Sequence, residues 1–204
     1  MTRSTRIAGL AHIALALCTV VGSAVAAAKP DHPAPVTTET PAPETDEAPL
    51  FETGPVPLIT DPAHFTARIV AAHNDLRTAW RAAPLLWDDR LSVDAAAYAR
   101  QMAETGAFEH APQTGQGENL WMGSAGYYDV DAMIAMWSDE AVQFKPGRFP
   151  DVAVRGGWMD VGHFTQMIWP TTTHVGCAVS RGVTDDYLVC RYSPPGNVTG
   201  ANIP

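Results

Sequence analysis

The chain has 204 residues, 46% of them hydrophobic, and sets 13 lysines and arginines against 22 acids for a formal charge of −9. That is enough for one ordinary globular domain with tails. So acidic a chain, with no basic run and no aromatic–basic interleaving, offers no electrostatic footprint for nucleic acid or anionic lipid headgroups.

At the N-terminus, Arg3 and Arg6 precede an apolar run from Ile7 to Val21, and small residues follow at Ala24, Val25 and Ala26. This is the order of a secretory signal peptide, read as residues 1–28, with cleavage after Ala26 or Ala28. The run is too short and too poorly flanked for a membrane span, so no integral membrane segment is expected once it is removed. Its removal takes away two arginines and no acid, moving the formal charge from −9 to −11. Cys18 is poorly placed for lipid attachment, because Leu17 stands where such a site takes Gly or Ala. Residues 29–61 read as a flexible linker: prolines recur at 30, 33, 35, 41, 43, 49, 55 and 57 among Thr, Ala and Glu, with little to bury.

The pattern then changes. Asp61-Pro62 looks like an N-cap followed by proline at the first helical position, and Phe65, Ile69, Ala72 and Leu76 recur at helical spacing, predicting a helix over 62–79. The apolar piece Leu85-Leu86-Trp87 follows Pro84. A second helix is expected over 90–105, with Leu91, Ala95, Tyr98 and Met102 on one face and Gly106 as its stop. Glu118-Asn119-Leu120-Trp121 reads as a strand between Gly-rich turns. A third helix starts near Asp129 or Asp131, residues 145–158 read as a long loop, and a short helix is expected over 161–169. Strands 173–179 and 187–192 close the domain, joined by a turn around 182–186.

Cys177 and Cys190 fall on opposite strands of that closing hairpin. An even pair in an exported chain is a disulfide before it is a reactive thiol or a metal site, and a hairpin brings its strands within bridging distance. Helix, helix, strand, helix, strand, strand argues against parallel βαβ winding and for an antiparallel sheet with helices on its faces.

Four groups stand out chemically: His110, Glu118, Glu140 and His163. Two imidazoles and two carboxylates suit a divalent metal, and a carboxylate that does not touch the metal can still orient a ligand or a bound water. Their spacing alone is weak evidence that they meet. Trp158, Phe144 and Phe149 border the long loop and are candidates to line an apolar ligand groove. Asn74 and Arg77 read as anchors of the first helix, Trp87, Trp137 and Trp169 as core, and His174 as an exposed or satisfied strand histidine. Asn197-Val198-Thr199 matches a glycosylation acceptor.

The stretch from Gly162-His163-Phe164-Thr165-Gln166 to Pro170-Thr171-Thr172 resembles the first signature of the CAP superfamily (cysteine-rich secretory, antigen 5 and pathogenesis-related proteins). The stretch from Tyr187-Leu188-Val189-Cys190-Arg191-Tyr192 to Pro195-Gly196-Asn197 is similar to the second. His73-Asn74-Asp75-Leu76-Arg77, Gly117-Glu118-Asn119-Leu120 and Trp137-Ser138-Asp139-Glu140 agree, so the resemblance spans nearly all of 62–197. It implies an α+β fold, an α–β–α sandwich around a small central antiparallel sheet (the CAP or SCP domain, residues 62–204). It also implies a cleft of two histidines and two glutamates, filled here by His110, Glu118, Glu140 and His163, at which relatives bind zinc or magnesium. A metal-free His–Glu network holding the loops is the other reading of the same four residues. The family often has Ser after the first cleft histidine; here it is Ala111, which removes one hydroxyl. The Ala-rich signal and the single bridge look bacterial.

Three functions fit. The first is a non-enzymatic secreted binding module for a small hydrophobic ligand (a sterol or fatty acid) or for an extracellular partner. The second is a metal-assisted hydrolase acting on peptides, although no His-Glu-x-x-His or Gly-x-Ser-x-Gly motif occurs. The third is an effector or defence protein for which the fold is a scaffold.

Overall fold

In the computed structural model, residues 61–112 and 114–204 are described. The signal-peptide reading of 1–28, Cys18 within it, and the linker reading up to residue 60 lie outside them.

Helix α1 spans Pro62–Ala79. The Asp61 carboxylate accepts the Ala63 N–H at 3.0 Å, and Pro62 takes a first-turn position where no backbone donor is needed. Four-residue spacing turns Phe65, Ile69, His73 and Arg77 to the core. Two of these are polar and carry the fold's internal struts. Arg77 donates to the carbonyls of Met167, Trp169 and Thr172 at 2.8, 3.1 and 3.1 Å and also reaches Ala83 O. It thus ties α1 to the segment that ends the first signature. The Asn74 amide pairs with both backbone groups of Leu85. The anchoring expected of both residues is what the structure shows.

Strand β1 is only Leu86–Trp87. Helix α2, Asp89–Thr105, is capped by Asp88, whose carboxylate accepts from Arg90 and Leu91 N–H, and stops at Gly106 in the left-handed conformation (φ 71°). Strand β2 is Gly117–Ser124. Helix α3, Val130–Ser138, is capped by Asp129 and runs into a 3₁₀ turn, Asp139–Gln143. Then come β3 (Gly147–Arg148), α4 (Gly162–Met167), β4 (His174–Arg181), β5 (Asp185–Ser193) and β6 (Asn202–Ile203).

The main sheet runs β1-β4-β5-β2. β4–β5 and β5–β2 pair antiparallel, as expected, whereas β1 joins β4 in parallel. Its two residues lie between α1 and α2 in the chain, far from β4, so no hairpin dictates their direction. α2 packs on one face, where Ala95, Ala99 and Met102 meet Leu120, Tyr187 and Val189. On the other face Ile69, Ile134 and Met167 meet Val175, Leu188 and Tyr192. β5 is therefore covered on both faces, and residues 186–192 are buried without alternation. At Gly176 the first turn of α2 comes so close that a Cβ would stand 2.3 Å from Ser92 N, which restricts this position on β4 to glycine. Each fully buried aliphatic or aromatic side chain contributes roughly 1.5–3 kcal/mol.

The expected long loop has more structure than its Pro/Gly content suggests. β3 pairs antiparallel with β6, and Phe144, Phe149 and Val152 form a third cluster with Phe164, Ile168 and Trp169. Cys177 and Cys190 are direct cross-strand partners, Cα atoms 4.1 Å apart, and are bonded. Among the described residues no helix is long and apolar enough to cross a membrane.

Candidate functional site

A cavity of about 470 Å³ opens between the loop after α2, the start of β2 and the N-terminal end of α4. His110, Glu118 and His163 all line it. Glu140 stands behind His163, so the fold brings the four expected residues together as two pairs.

The first pair begins on β2. Antiparallel register puts Glu118 directly opposite Arg191 on β5, and Arg191 Nη2 lies 2.9 Å from Glu118 Oε2, an ion pair without hydrogen-bond alignment. Both side chains are almost fully buried, 8% and 4% exposed. Arg191 Nε has no hydrogen-bond partner, but the guanidinium lies 5.2 Å from the Tyr98 ring centroid, a favourable cation–π placement. Glu118 Oε1 then accepts from the Ala111 N–H at 3.1 Å and from His110 Nδ1 at 2.6 Å. That hydrogen bond raises the His110 pKa above its ordinary value, against partial desolvation.

The second pair is built on a helix start. Glu140, in the 3₁₀ turn after α3, accepts the backbone N–H of His163 and of Phe164 through Oε2, each at 3.0 Å, and His163 Nδ1 through Oε1 at 2.6 Å. The His163 ring stacks on Trp137, centroids 5.7 Å apart and 17° from parallel. Because a carboxylate only accepts, Nδ1 carries the proton in both histidines, and Nε2 is the nitrogen left to the cavity.

Behind His163 runs a buried polar chain that sequence reasoning did not assemble. Asn119 Nδ2 donates to His163 O at 3.0 Å and to Tyr192 OH at 3.2 Å; Tyr192 OH meets His73 Nε2 at 2.9 Å; His73 Nδ1 donates to Ile69 O at 2.8 Å. Burial pushes His73 down to about 4 and Tyr192 up. Arg191, Gln166 and Asn119 were also missed as parts of the site. All three sit inside the recognised motifs, but nothing in a motif says which neighbour a side chain meets. Gln166 is packed between Gly117 and Gly196 and accepts the Gly196 N–H at 2.9 Å, while Asn197 donates to Gly162 O at 2.9 Å. The second signature thereby clamps the helix that carries His163.

The expected groove is corrected. Phe144 and Phe149 are core residues, 7% and 3% exposed, because β3 and β6 fold the long loop over them. Only Trp158, 41% exposed, reaches the cavity, with Met159 beside it. Of the expected core tryptophans, Trp137 and Trp169 are buried and Trp87 half-buried. His174 is half-buried and bonded to Thr173 Oγ1 at 2.8 Å.

As a metal set the four residues fit only in part. Both glutamates already hold N–H donors or Arg191, and no group of three or more His, Cys, Asp or Glu with metal-binding proximity occurs among the described residues. The ring atoms that the glutamates leave unused are Nε2 of His110 and of His163, each ring being held from behind through Nδ1 by a carboxylate.

A profile of the cysteine-rich secretory protein family (CAP) matches residues 70–192. The pathogenesis-related protein PR-1 of Medicago truncatula is 34% identical over 139 residues, 67% of this chain and 77% of that protein. Pathogenesis-related protein 1C of Nicotiana tabacum is 35% identical over 131 residues, 63% and 74% of the two chains. The crystal structure of NaASP2 with Zn²⁺ superposes with a TM-score of 0.56 at 25% identity, covering 67% of this chain and 83% of that one. Hookworm platelet inhibitor, at 20% identity and a TM-score of 0.55 over 69% and 74%, shares the fold.

Proposed function

The chain belongs to the CAP (cysteine-rich secretory protein) family, and on that premise we propose that it is an exported binding module whose cleft offers two carboxylate-held imidazoles to a ligand. The observation that carries this reading is how completely the glutamates are used. Glu140 accepts three N–H groups, and Glu118 accepts two while paired with Arg191. Glu140 has N–H donors on both oxygens and Glu118 is paired with a buried guanidinium, which counts against either taking a proton from water, the task hydrolysis would set them. The described cavity lining contains no Ser or Cys, and its Thr114 accepts from Gln116 and Arg191.

The paired Nε2 donors suit a divalent cation, and imidazole nitrogen favours zinc over magnesium. His110 and His163 would hold it, and the bound cation would supply a Lewis-acidic, water-carrying centre. Glu118 and Glu140 keep each ring in the Nδ1–H tautomer and aim it. Trp158 and Met159 add an apolar rim to the polar floor, which suits a ligand with a polar head and a hydrophobic body, such as a sterol or a fatty acid. The NaASP2 structure with Zn²⁺ and the pathogenesis-related names of the relatives agree with an extracellular binding or defence role.

The test is a calorimetric zinc titration of chelator-stripped protein beside a folded His110→Ala/His163→Ala variant. Micromolar or tighter binding lost in the variant supports the reading. Equal or absent binding in both leaves the four residues as a structural network. Metal-dependent peptide cleavage abolished by Glu140→Gln would replace the binding reading with catalysis.

A further inference from the structure

Beside the cleft, a second cavity of about 450 Å³ shares Ala111, Thr114, Gln116 and Arg191 with the first. Its other side is a stripe of α2, where Asp94, Ala97 and Gln101 follow one another at helical spacing and are all exposed. Neither His110 nor His163 lines it, so a cation held by the two imidazoles leaves this space unexplained.

Among the described residues, three buried side-chain polar atoms have no hydrogen bond: Gln116 Oε1, Glu118 Oε2 and Arg191 Nε. All three belong to residues that line the cleft, and Gln116 and Arg191 line the second cavity as well. Arg191 is 3% exposed; its Nη1 donates to Thr114 Oγ1 at 3.3 Å and its Nη2 is ion-paired with Glu118, which leaves Nε as an unused donor. Gln116 turns its amide nitrogen to Asp94, Nε2 donating to Oδ2 at 2.7 Å, which leaves Oε1 as an unused acceptor. Buried polar atoms rarely stay unpaired, because each forfeits a hydrogen bond that water would give it. Thr114 Oγ1 accepts from the Gln116 N–H and from Arg191, so its own proton remains to be donated.

The unused atoms are of both kinds, and this selects the ligand. An anion could take Arg191 Nε, but it has no proton for Gln116 Oε1 and would meet the carboxylates of Glu118 and Asp94. A cation could take the oxygens but would face the guanidinium. A hydroxyl group accepts and donates at once. We propose that the second cavity binds a neutral, hydroxyl-rich ligand, a saccharide, whose hydroxyls accept from Arg191 Nε and donate to Gln116 Oε1. Further hydroxyls meet the Thr114 proton and the side chains of Asp94 and Gln101 on α2. Gln116 is half-buried and its amide is held by one hydrogen bond to the exposed Asp94, so it can turn to admit the sugar to Nε. The site uses neither cleft imidazole and stands whether or not the cleft holds a cation.

Nitrogen-15 NMR of the intact chain tests this, with cellobiose, chitobiose, maltose and trehalose titrated in turn while the Arg191 Nε–H and Gln116 amide resonances are followed. Saturable shifts of both groups, at millimolar or lower concentration, are expected with at least one of these sugars. Ala97→Trp, which fills the cavity from α2, should weaken that binding about tenfold and leave the His110 and His163 ring signals in place. Gln116→Leu, which removes the acceptor, should weaken it to a similar degree. Glucuronate should bind no better than glucose. Tighter binding of the uronate overturns the proposal by assigning Arg191 to an anion. So does the absence of saturable shifts with all four sugars, binding that survives Ala97→Trp, or an Arg191 Nε–H that contacts an ordered water only.

Discussion

Glu118 and Arg191 face each other across β2 and β5 at 2.9 Å, and this buried ion pair is the base on which His110 is held in the cleft. The Glu118 carboxylate is shared between a guanidinium behind it and an imidazole in front. Its position is therefore set by sheet register rather than by the mobile end of a loop. A buried pair of this kind contributes less to net stability than to orientation, because desolvation offsets most of its attraction.

Removing one partner should be far worse than removing both. Arg191→Met strands the Glu118 charge and should cost about 3 kcal/mol in urea unfolding at an unchanged m-value. Glu118→Gln/Arg191→Met should cost clearly less than the sum of the two single changes. Additive losses would show that the two charges are not coupled.

His110 should titrate above the ordinary histidine value, and Glu118→Gln should bring it back down, as read from ring-proton chemical shifts. Because the folded value is raised, this pair's stabilisation is complete below the ordinary pKa and is lost as pH rises through the folded one. Zinc affinity should run the opposite way, falling as pH drops through the His110 value, since the proton and the cation compete for Nε2. A zinc affinity flat across that range would dissociate His110 from the cation.

His73 gives the reverse sign. Burial lowers it to about 4, so the unfolded chain takes up a proton that the native chain refuses. Stability should fall as pH drops from the ordinary histidine value towards 4, by about 3 kcal/mol over the full interval. A His73→Asn variant should be less stable at neutral pH yet lose up to one proton's worth of slope in that window. An identical slope in both proteins would mean that His73 is not the buried neutral group described.

Gly117→Ala should disturb the clamp on α4 without touching a histidine. The new Cβ would stand 2.3 Å from Gln166 Oε1, and Gln166 could yield only by giving up the Gly196 N–H. The expected loss is about 1–3 kcal/mol, with Gln166→Ala in the same chain recovering part of it. If the double variant is no better than Gly117→Ala alone, the strain lies elsewhere, for example against Tyr192 Cβ at 3.2 Å.

Much of the fold was legible because its signals are local. Asp61-Pro62 and the four-residue spacing of Phe65 and Ile69 place α1 as observed, and Gly106 ends α2 where its left-handed conformation is needed. The closing hairpin and its disulfide follow from two runs of strand residues with a cysteine in each. What went wrong did so for non-local reasons. Phe144 and Phe149 border a Pro/Gly-rich stretch that reads as open loop, and only the distant β6 pairing shows them covered.

The sequence by itself determined the family, the cap of α1 and the stop of α2, the disulfide pair and the four polar residues that gather at the cavity. Each is written either in short-range spacing or in motifs long enough to be specific. Tertiary structure alone decided that the four residues stand as two His–Glu pairs and that Arg191 backs one while the α4 backbone backs the other. It alone decided that His73, on the first helix, reaches the cleft wall through Tyr192 and Asn119. The reason is physical: a side chain's partner depends on strand register and on the approach of elements a hundred residues apart, and no local pattern encodes either.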